Sequence, residues 1–135
     1  MTKQHINPAT LFPSVQHGFS QIVTSRGGKT IYISGQTAWE AGKRIVGGTN
    51  LREQARQALR NVRTAVEAAD GTLGDVVSVR IYVVNYKPED AGPVGEVFRE
   101  FFPGENPPAS TLIGVSSLAV EDFLIELEAI AVVET

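Results

Sequence analysis

Two carboxylates, Glu126 and Glu128, stand in the apolar run Leu124 to Val133 (LIELEAIAVV), and they are the side chains of this 135-residue chain best placed to move a proton. Strand side chains alternate between faces, so Ile125, Leu127, Ala129, Ala131 and Val133 point one way while Leu124, Glu126, Glu128, Ile130 and Val132 point the other. The first face can take a helix. The second mixes carboxylates with Ile130 and Val132 and should not be left in water, so a second cover is expected there, most simply another copy of the chain. Burial raises the pKa of a carboxyl group toward the range in which it can activate water or protonate a leaving amine, and Glu126 is the candidate for that work. The bland alternative is an ion pair or a buried hydrogen bond across a subunit interface, which suits Glu128 better.

The familiar sites are missing. His5 and His17 are the only histidines and have no metal-ligand spacing, and the absence of cysteine excludes a thiolate nucleophile, a disulfide framework and a cysteine-based zinc site. No G-x-S-x-G elbow, Walker loop or G-x-G-x-x-G fingerprint is present. Thr49-Asn50 at a helix start offers free amides to an anion, as every helix start does. His17 lies near Ser20 but lacks a third, orienting partner, and is taken as a surface residue.

The elements that must position Glu126 are legible in the spacing of apolar residues. Ile22 to Thr24 and Thr30 to Gln36 flank Arg26-Gly27-Gly28-Lys29 and read as a hairpin, because Gly-Gly supplies the positive φ of a tight turn. The second arm ends in Ser34-Gly35-Gln36, where glycine suits either close approach by a ligand or another chain, or a strand bulge. Trp39 follows in a loop that runs to Gly47-Gly48, as a lid on the core or as a pocket wall. Asn50 to Ala69 predicts a helix with its apolar stripe on Leu51, Ala55, Ala58, Leu59, Val62, Ala65, Val66 and Ala69. Asn50 and Glu53 make a capping-box-like start, and Gly71 offers a left-handed stop. Arg52, Arg56, Arg60 and Arg63 lie off the stripe, as a solvated face.

Val76 to Val84 predicts an internal strand with Val77, Val79, Ile81 and Val83 on one face. A second helix is expected between Pro88 and Phe102, burying Val94, Val97, Phe98, Phe101 and Phe102, with Pro93 near its first turn and Pro103-Gly104 at its end. Pro107-Pro108 then delivers the chain to two apolar runs joined by a short polar turn, within Asn106 to Val133.

That last stretch resembles the reactive-intermediate deaminase (RidA, or YjgF-like) family. Pro108-Ala109 and Thr111 match the first part of the family signature, and Ile125-Glu126-Leu127-Glu128-Ala129 matches the second. Where deaminating members have an arginine between Ala and Ser/Thr, this chain has Ser110. The resemblance implies that Glu126 directs water onto an enamine or imine, that Ser34-Gly35-Gln36 lines the pocket, and that the missing arginine would have clamped the substrate carboxylate. It also places Phe19, within Gly18-Phe19-Ser20-Gln21, where the family often has tyrosine. Leu112 falls where many members have cysteine, and Gly95 or Glu96 near a position often filled by asparagine.

Length and pattern together predict one domain over residues 1–135, long enough to bury roughly two thirds of its unfolded surface. The expected fold class is α+β, a single mixed β-sheet with two helices on one face, and the resemblance implies assembly as a homotrimer through the other face. The function expected from the resemblance is hydrolysis of an imine, enamine or related carbonyl compound at subunit interfaces, without a cofactor or metal, on a substrate other than the usual 2-imino acid. Glu126 would handle the water, backbone amides near Ser110 and Gly35 would hold a polar atom, and Phe19, Leu112 and Trp39 would shape the pocket. A pocket that binds a small-molecule ligand without turnover, as a regulatory module, is the competing expectation. Ribonuclease activity, an old label for parts of the family, is disfavoured by the net charge of −3 and the lack of a histidine pair. No nucleic-acid or membrane partner is expected: no apolar run approaches the roughly 20 residues of a membrane span. The lack of cysteine fits a cytoplasmic setting.

Overall fold

Helix α1 (Leu51–Ala68) forms where the apolar stripe predicts it, and its buried face carries Ala55, Ala58, Leu59, Val62 and Val66. The two alanines are fully buried, which lets the helix axis approach the sheet closely. Asn50 caps the helix by accepting the backbone N–H of Glu53 at 3.0 Å. At the other end the left-handed residue is Asp70, with φ 67°, and not Gly71. Gly71 is needed for proximity instead, since a Cβ there would stand 2.8 Å from Val133 Cγ2 and 3.0 Å from Val66 Cγ2. Lys29 Nζ donates to the carbonyl of Ala69 at 2.8 Å, which satisfies one of the carbonyls a helix end leaves open.

The computed structural model describes residues 2–134 and adds to α1 the strands β1 (Thr2–Ile6), β2 (Ile22–Arg26), β3 (Lys29–Gln36), β4 (Val76–Val84), β5 (Ala109–Val115) and β6 (Ile125–Val133), with helix α2 (Ala91–Phe101) between β4 and β5. Four strands make a mixed sheet in the order β3-β6-β4-β5, antiparallel except for the parallel pair β4/β5. Both helices pack on one side of it, around a core of Val79, Ile81, Leu127, Leu59, Val97 and Phe98 among others. This is the α+β architecture expected, with a two-stranded ribbon, β1 against β2, added beside it. No helix among the described residues is long and apolar enough to cross a membrane.

Three details differ from expectation. The Gly27-Gly28 turn has the positive φ values of 75° and 79° that a tight turn requires, yet its arms do not pair with each other. β2 pairs with β1, a strand hidden in the sequence because Thr2 to Ile6 is polar on both sides, and β3 pairs with β6. The two apolar runs of the C-terminal stretch are not neighbours either. Residues 116–124 carry the chain past β4, and β6 enters the middle of the sheet, where a strand that is apolar on both faces belongs. In β4 a register shift between Val76 and Ser78 puts Val76, and not Val77, in the core.

The 116–124 connection is held by Gln54, a fully buried amide on α1. Its Nε2 donates to the carbonyls of Gly48 and Asp122 at 2.7 and 2.9 Å, and its Oε1 accepts the N–H of Leu124 at 2.9 Å. With partners on both ends a buried amide stabilises, and here it sets the entry of β6 two residues before Glu126.

Candidate functional site

A cavity of about 390 Å³ opens beneath α2 at the β5 edge of the sheet. Ser110 and Leu112 form its floor, from the side of β5 that faces the helices, together with Ile81 of β4. Val94 and Phe98 of α2 form one wall, and the segment His17-Gly18-Phe19 forms another. That segment is fixed by local chemistry. A 3-10 turn over Val15–His17 ends at Gly18, whose φ of 93° is left-handed, and Ser20 then bridges to Ala109 at the start of β5. Ser20 donates its N–H to Pro108 O at 3.0 Å and its hydroxyl to Pro107 O. The Ser20 hydroxyl is therefore committed to structure, and His17 has no nucleophile to activate there. Phe19 is half-buried and meets Phe12 edge-on at 5.8 Å.

Glu126 is elsewhere. In register, Glu126 lies opposite Tyr82, and Tyr82 opposite Ile113, on the sheet face turned away from the helices. Ser110 and Leu112 share the other face with Val79 and Ile81. The half-buried Glu126 side chain folds over Gly35, where β3 breaks register between Ile33 and Gln36. A Cβ on Gly35 would overlap Oε2 of Glu126 and lie 2.7 Å from its carboxyl carbon. The bulge reading of this glycine holds, and the group that approaches it closely in the single chain is the chain's own carboxylate, not a ligand or another chain.

Gly35 lacks a positive φ, so alanine fits its backbone, and the three atoms a Cβ would meet first all belong to the Glu126 side chain. Gly35→Ala is expected to leave the melting temperature within a few degrees of wild type, to displace the Glu126 carboxylate and, if Glu126 acts on a substrate, to lower kcat by about tenfold to a hundredfold, because a misplacement of about 1 Å costs that much. Steady-state kinetics beside a thermal melt checks it.

Glu128 accepts a hydrogen bond from the Tyr82 hydroxyl at 3.0 Å, the structural role that suits it. Trp39 stands outside the cavity: its ring meets the buried Phe123 edge-on at 4.9 Å and its carbonyl accepts Asn61 Nδ2 at 2.7 Å, so it covers the core. Of the six residues singled out from the sequence, Phe19, Ser110 and Leu112 line the cavity, Gly35 and Glu126 meet each other on the opposite sheet face, and Trp39 joins neither group. Of Gly95 and Glu96, Gly95 lines the cavity, while Glu96 pairs with Arg52 at 2.9 Å. Arg99 and Gly92 also line it and were not anticipated, since on an amphipathic helix an arginine and a glycine look like solvated surface.

The arginine row of α1 is not a free basic stripe. Arg56 pairs with Glu100 at 2.7 Å and with Glu53, Arg52 pairs with Glu96, and Arg63 lies over the Phe101 ring at 5.4 Å. The carboxylate of Glu100 holds Arg56 well above the usual guanidinium range, and Arg56 in turn lowers Glu100.

A mixed sheet with two helices on one side, a cavity at its edge strand and a carboxylate on the reverse face define a small α+β protein whose candidate site is divided between two surfaces. The profile of the family described as endoribonuclease L-PSP matches residues 10–133, and the chain belongs to this family, the RidA/YjgF group that its motifs resemble. A 2-iminobutanoate/2-iminopropanoate deaminase of Dermatophagoides farinae is 32% identical over 134 residues, covering 99% of this chain and all of the relative. Among solved structures, the Rid-family protein YyfB of Yersinia pestis, of unknown function, is 41% identical with a TM-score of 0.94 over 98% of this chain and 100% of its own. The YjgF gene product of Escherichia coli is 33% identical with a TM-score of 0.67 over 81% of this chain and 84% of its own.

Proposed function

We propose that the protein hydrolyses an imine or enamine at sites built between copies of itself, with Glu126 of one copy facing the cavity of the next. The observation that carries this reading is the division of the site. A carboxylate on one face of a sheet cannot reach a cavity on the other face of the same sheet, but a head-to-tail contact that closes into a ring, a trimer here, presents each to the other. Such a contact also covers the open face, on which Tyr32 is 79% exposed and Ile113 38%.

The chemistry follows from one carboxylate and one water. Glu126 takes a proton as the water oxygen bonds to the imine carbon and the C=N π pair moves to nitrogen. It returns that proton to the nitrogen to give the carbinolamine, then passes the carbinolamine hydroxyl proton to the same nitrogen as the C–N bond breaks and the C=O bond forms, so that a carbonyl compound and ammonia leave. An enamine enters the same route after protonation on carbon. Phe19, Leu112 and Phe98 hold an apolar body, and backbone amides near Ser110 and Gly35 hold a polar atom. The 32% identical relative named as a 2-iminobutanoate/2-iminopropanoate deaminase supports the reaction type. Ser110 points away from that relative's substrates, because a hydroxyl makes one neutral bond where an arginine fork would make two charge-assisted ones.

The test is ammonia release above the spontaneous rate from a panel of imines generated in solution, with and without a carboxylate beside the reacting carbon. Saturable binding with no acceleration of any member would favour the ligand-binding module instead. The carboxylates that occupy Arg52 and Arg56 argue against an RNA groove on the arginine row.

If Ser110 accounts for the altered substrate, Ser110→Arg is expected to raise kcat/KM for small 2-imino acids by about tenfold or more, mostly through KM, since a charged hydrogen bond contributes about 1.5–3 kcal/mol. Kinetics on 2-iminopropanoate before and after the substitution reads this directly.

A further inference from the structure

On helix α2 Glu96 stands three residues before Arg99, a spacing at which acid and base can pair, yet Glu96 and its neighbour Glu100 both turn to α1. Glu96 reaches Arg52 at 2.9 Å and Glu100 reaches Arg56 at 2.7 Å, both on α1. Among the described residues no carboxylate lies within ion-pair distance of Arg99, an exposed side chain that instead runs along the wall of the cavity. Its path crosses two glycines. A Cβ on Gly95 would stand 3.3 Å from Arg99 Nη1, and one on Gly18 3.5 Å from Arg99 Cγ. Glycine inside a helix costs about 1 kcal/mol relative to alanine, and Gly95 lets the guanidinium lie low against the wall. A third glycine, Gly92, lies one turn earlier on the same wall, with open space where its Cβ would be.

We propose that Arg99 is the anion anchor of this cavity, so that the ligand carries a carboxylate on its α2 side, separated by an apolar body from the reacting group near Ser110. Guanidinium offers five donors in a planar fork that fits a carboxylate edge-on and has no acceptor to satisfy within the protein. Apart from His17, the side chains that line the cavity besides Arg99 and Ser110 are apolar, Phe19, Ile81, Val94, Phe98 and Leu112 among them, and suit a short hydrocarbon chain. The charge that the strand lost at Ser110 is thus supplied from the helix, several atoms farther along the ligand. This rests on the proposed function for the reacting group, but not for the anchor.

The test separates the two by reading binding alone. Pentanoate and its uncharged counterpart pentanamide are titrated into the intact oligomer and followed by NMR shifts of cavity residues. Pentanoate is expected to saturate and pentanamide to bind at least about tenfold more weakly. Arg99→Ala is expected to lose at least about tenfold in pentanoate affinity while its pentanamide affinity stays the same, and Arg99→Lys to recover part of the loss. Raising salt should weaken pentanoate only when Arg99 is present. Pentanoate that fails to saturate, an amide that binds as well as the acid, or an Arg99→Ala protein with unchanged discrimination overturns the inference. The anchor is read by binding and the catalytic role of Glu126 by ammonia release, so a failed anchor leaves the catalytic reading standing, and a failed catalytic test leaves the anchor.

Discussion

Glu126→Gln is expected to lower kcat/KM for imine hydrolysis by about 10²–10⁴-fold, the range over which a positioned general base contributes. The substitution keeps the shape of the side chain and its place over Gly35, and removes only the ability to take a proton from water. Its melting temperature and oligomeric state should match wild type. The loss should fall on kcat, since the cavity that binds the ligand is lined by other residues, Phe19, Ser110 and Leu112 among them. Turnover unchanged for every responsive imine would show that water is activated by another group. Glu128→Gln serves as the control, because Glu128 already bonds the Tyr82 hydroxyl, and it should cost little activity.

The second large effect concerns assembly. Tyr32 lies opposite Ile130 in register on the open sheet face and is 79% exposed in the single chain. Tyr32→Asp should therefore do almost nothing to a monomer. If the face is covered by another copy, however, the new carboxylate is buried without a partner, a change that costs about 3–5 kcal/mol in comparable buried pairs. The expected result is dissociation, seen as a fall in mass by light scattering, together with loss of at least about a hundredfold in activity, since each site would lose its Glu126 donor. Circular dichroism of the variant should still report the native fold. An unchanged mass and rate would mean that this face is free in solution.

Much of this architecture is readable before any coordinates. Helix α1 announces itself because stripe, cap and stop agree, and only the stop shifts, from Gly71 to Asp70. β4 and β6 are legible because apolar residues on both faces leave no place but the inside of a sheet. Pairing is less legible. Gly27-Gly28 has the dihedrals of a hairpin turn, but which strands pair depends on the whole chain, and β3 finds β6 about a hundred residues later. The site divides in the same way. Phe19, Ser110 and Leu112 were found through motif order, and Glu126 through the conflict between a charge and an apolar face. Arg99 left no such signal, because it is an exposed arginine near the end of an amphipathic helix, set apart only by the carboxylates beside it being engaged elsewhere. Trp39 belongs to the core side of its two readings, over Phe123.

The division of the site between copies is the central claim, and subunit mixing tests it most directly. Glu126→Gln is one partner, and the other is Leu112→Trp, which fills the cavity and leaves Glu126 intact; each is inactive alone. Unfolded together in equal amounts and refolded, they should recover about a quarter of wild-type activity, because a heterologous ring pairs an intact Glu126 with an intact cavity at one contact in four. Activity that stays at the level of the separate variants, in mixtures shown by mass spectrometry to contain both chains, would place the whole site within one protomer and contradict the account.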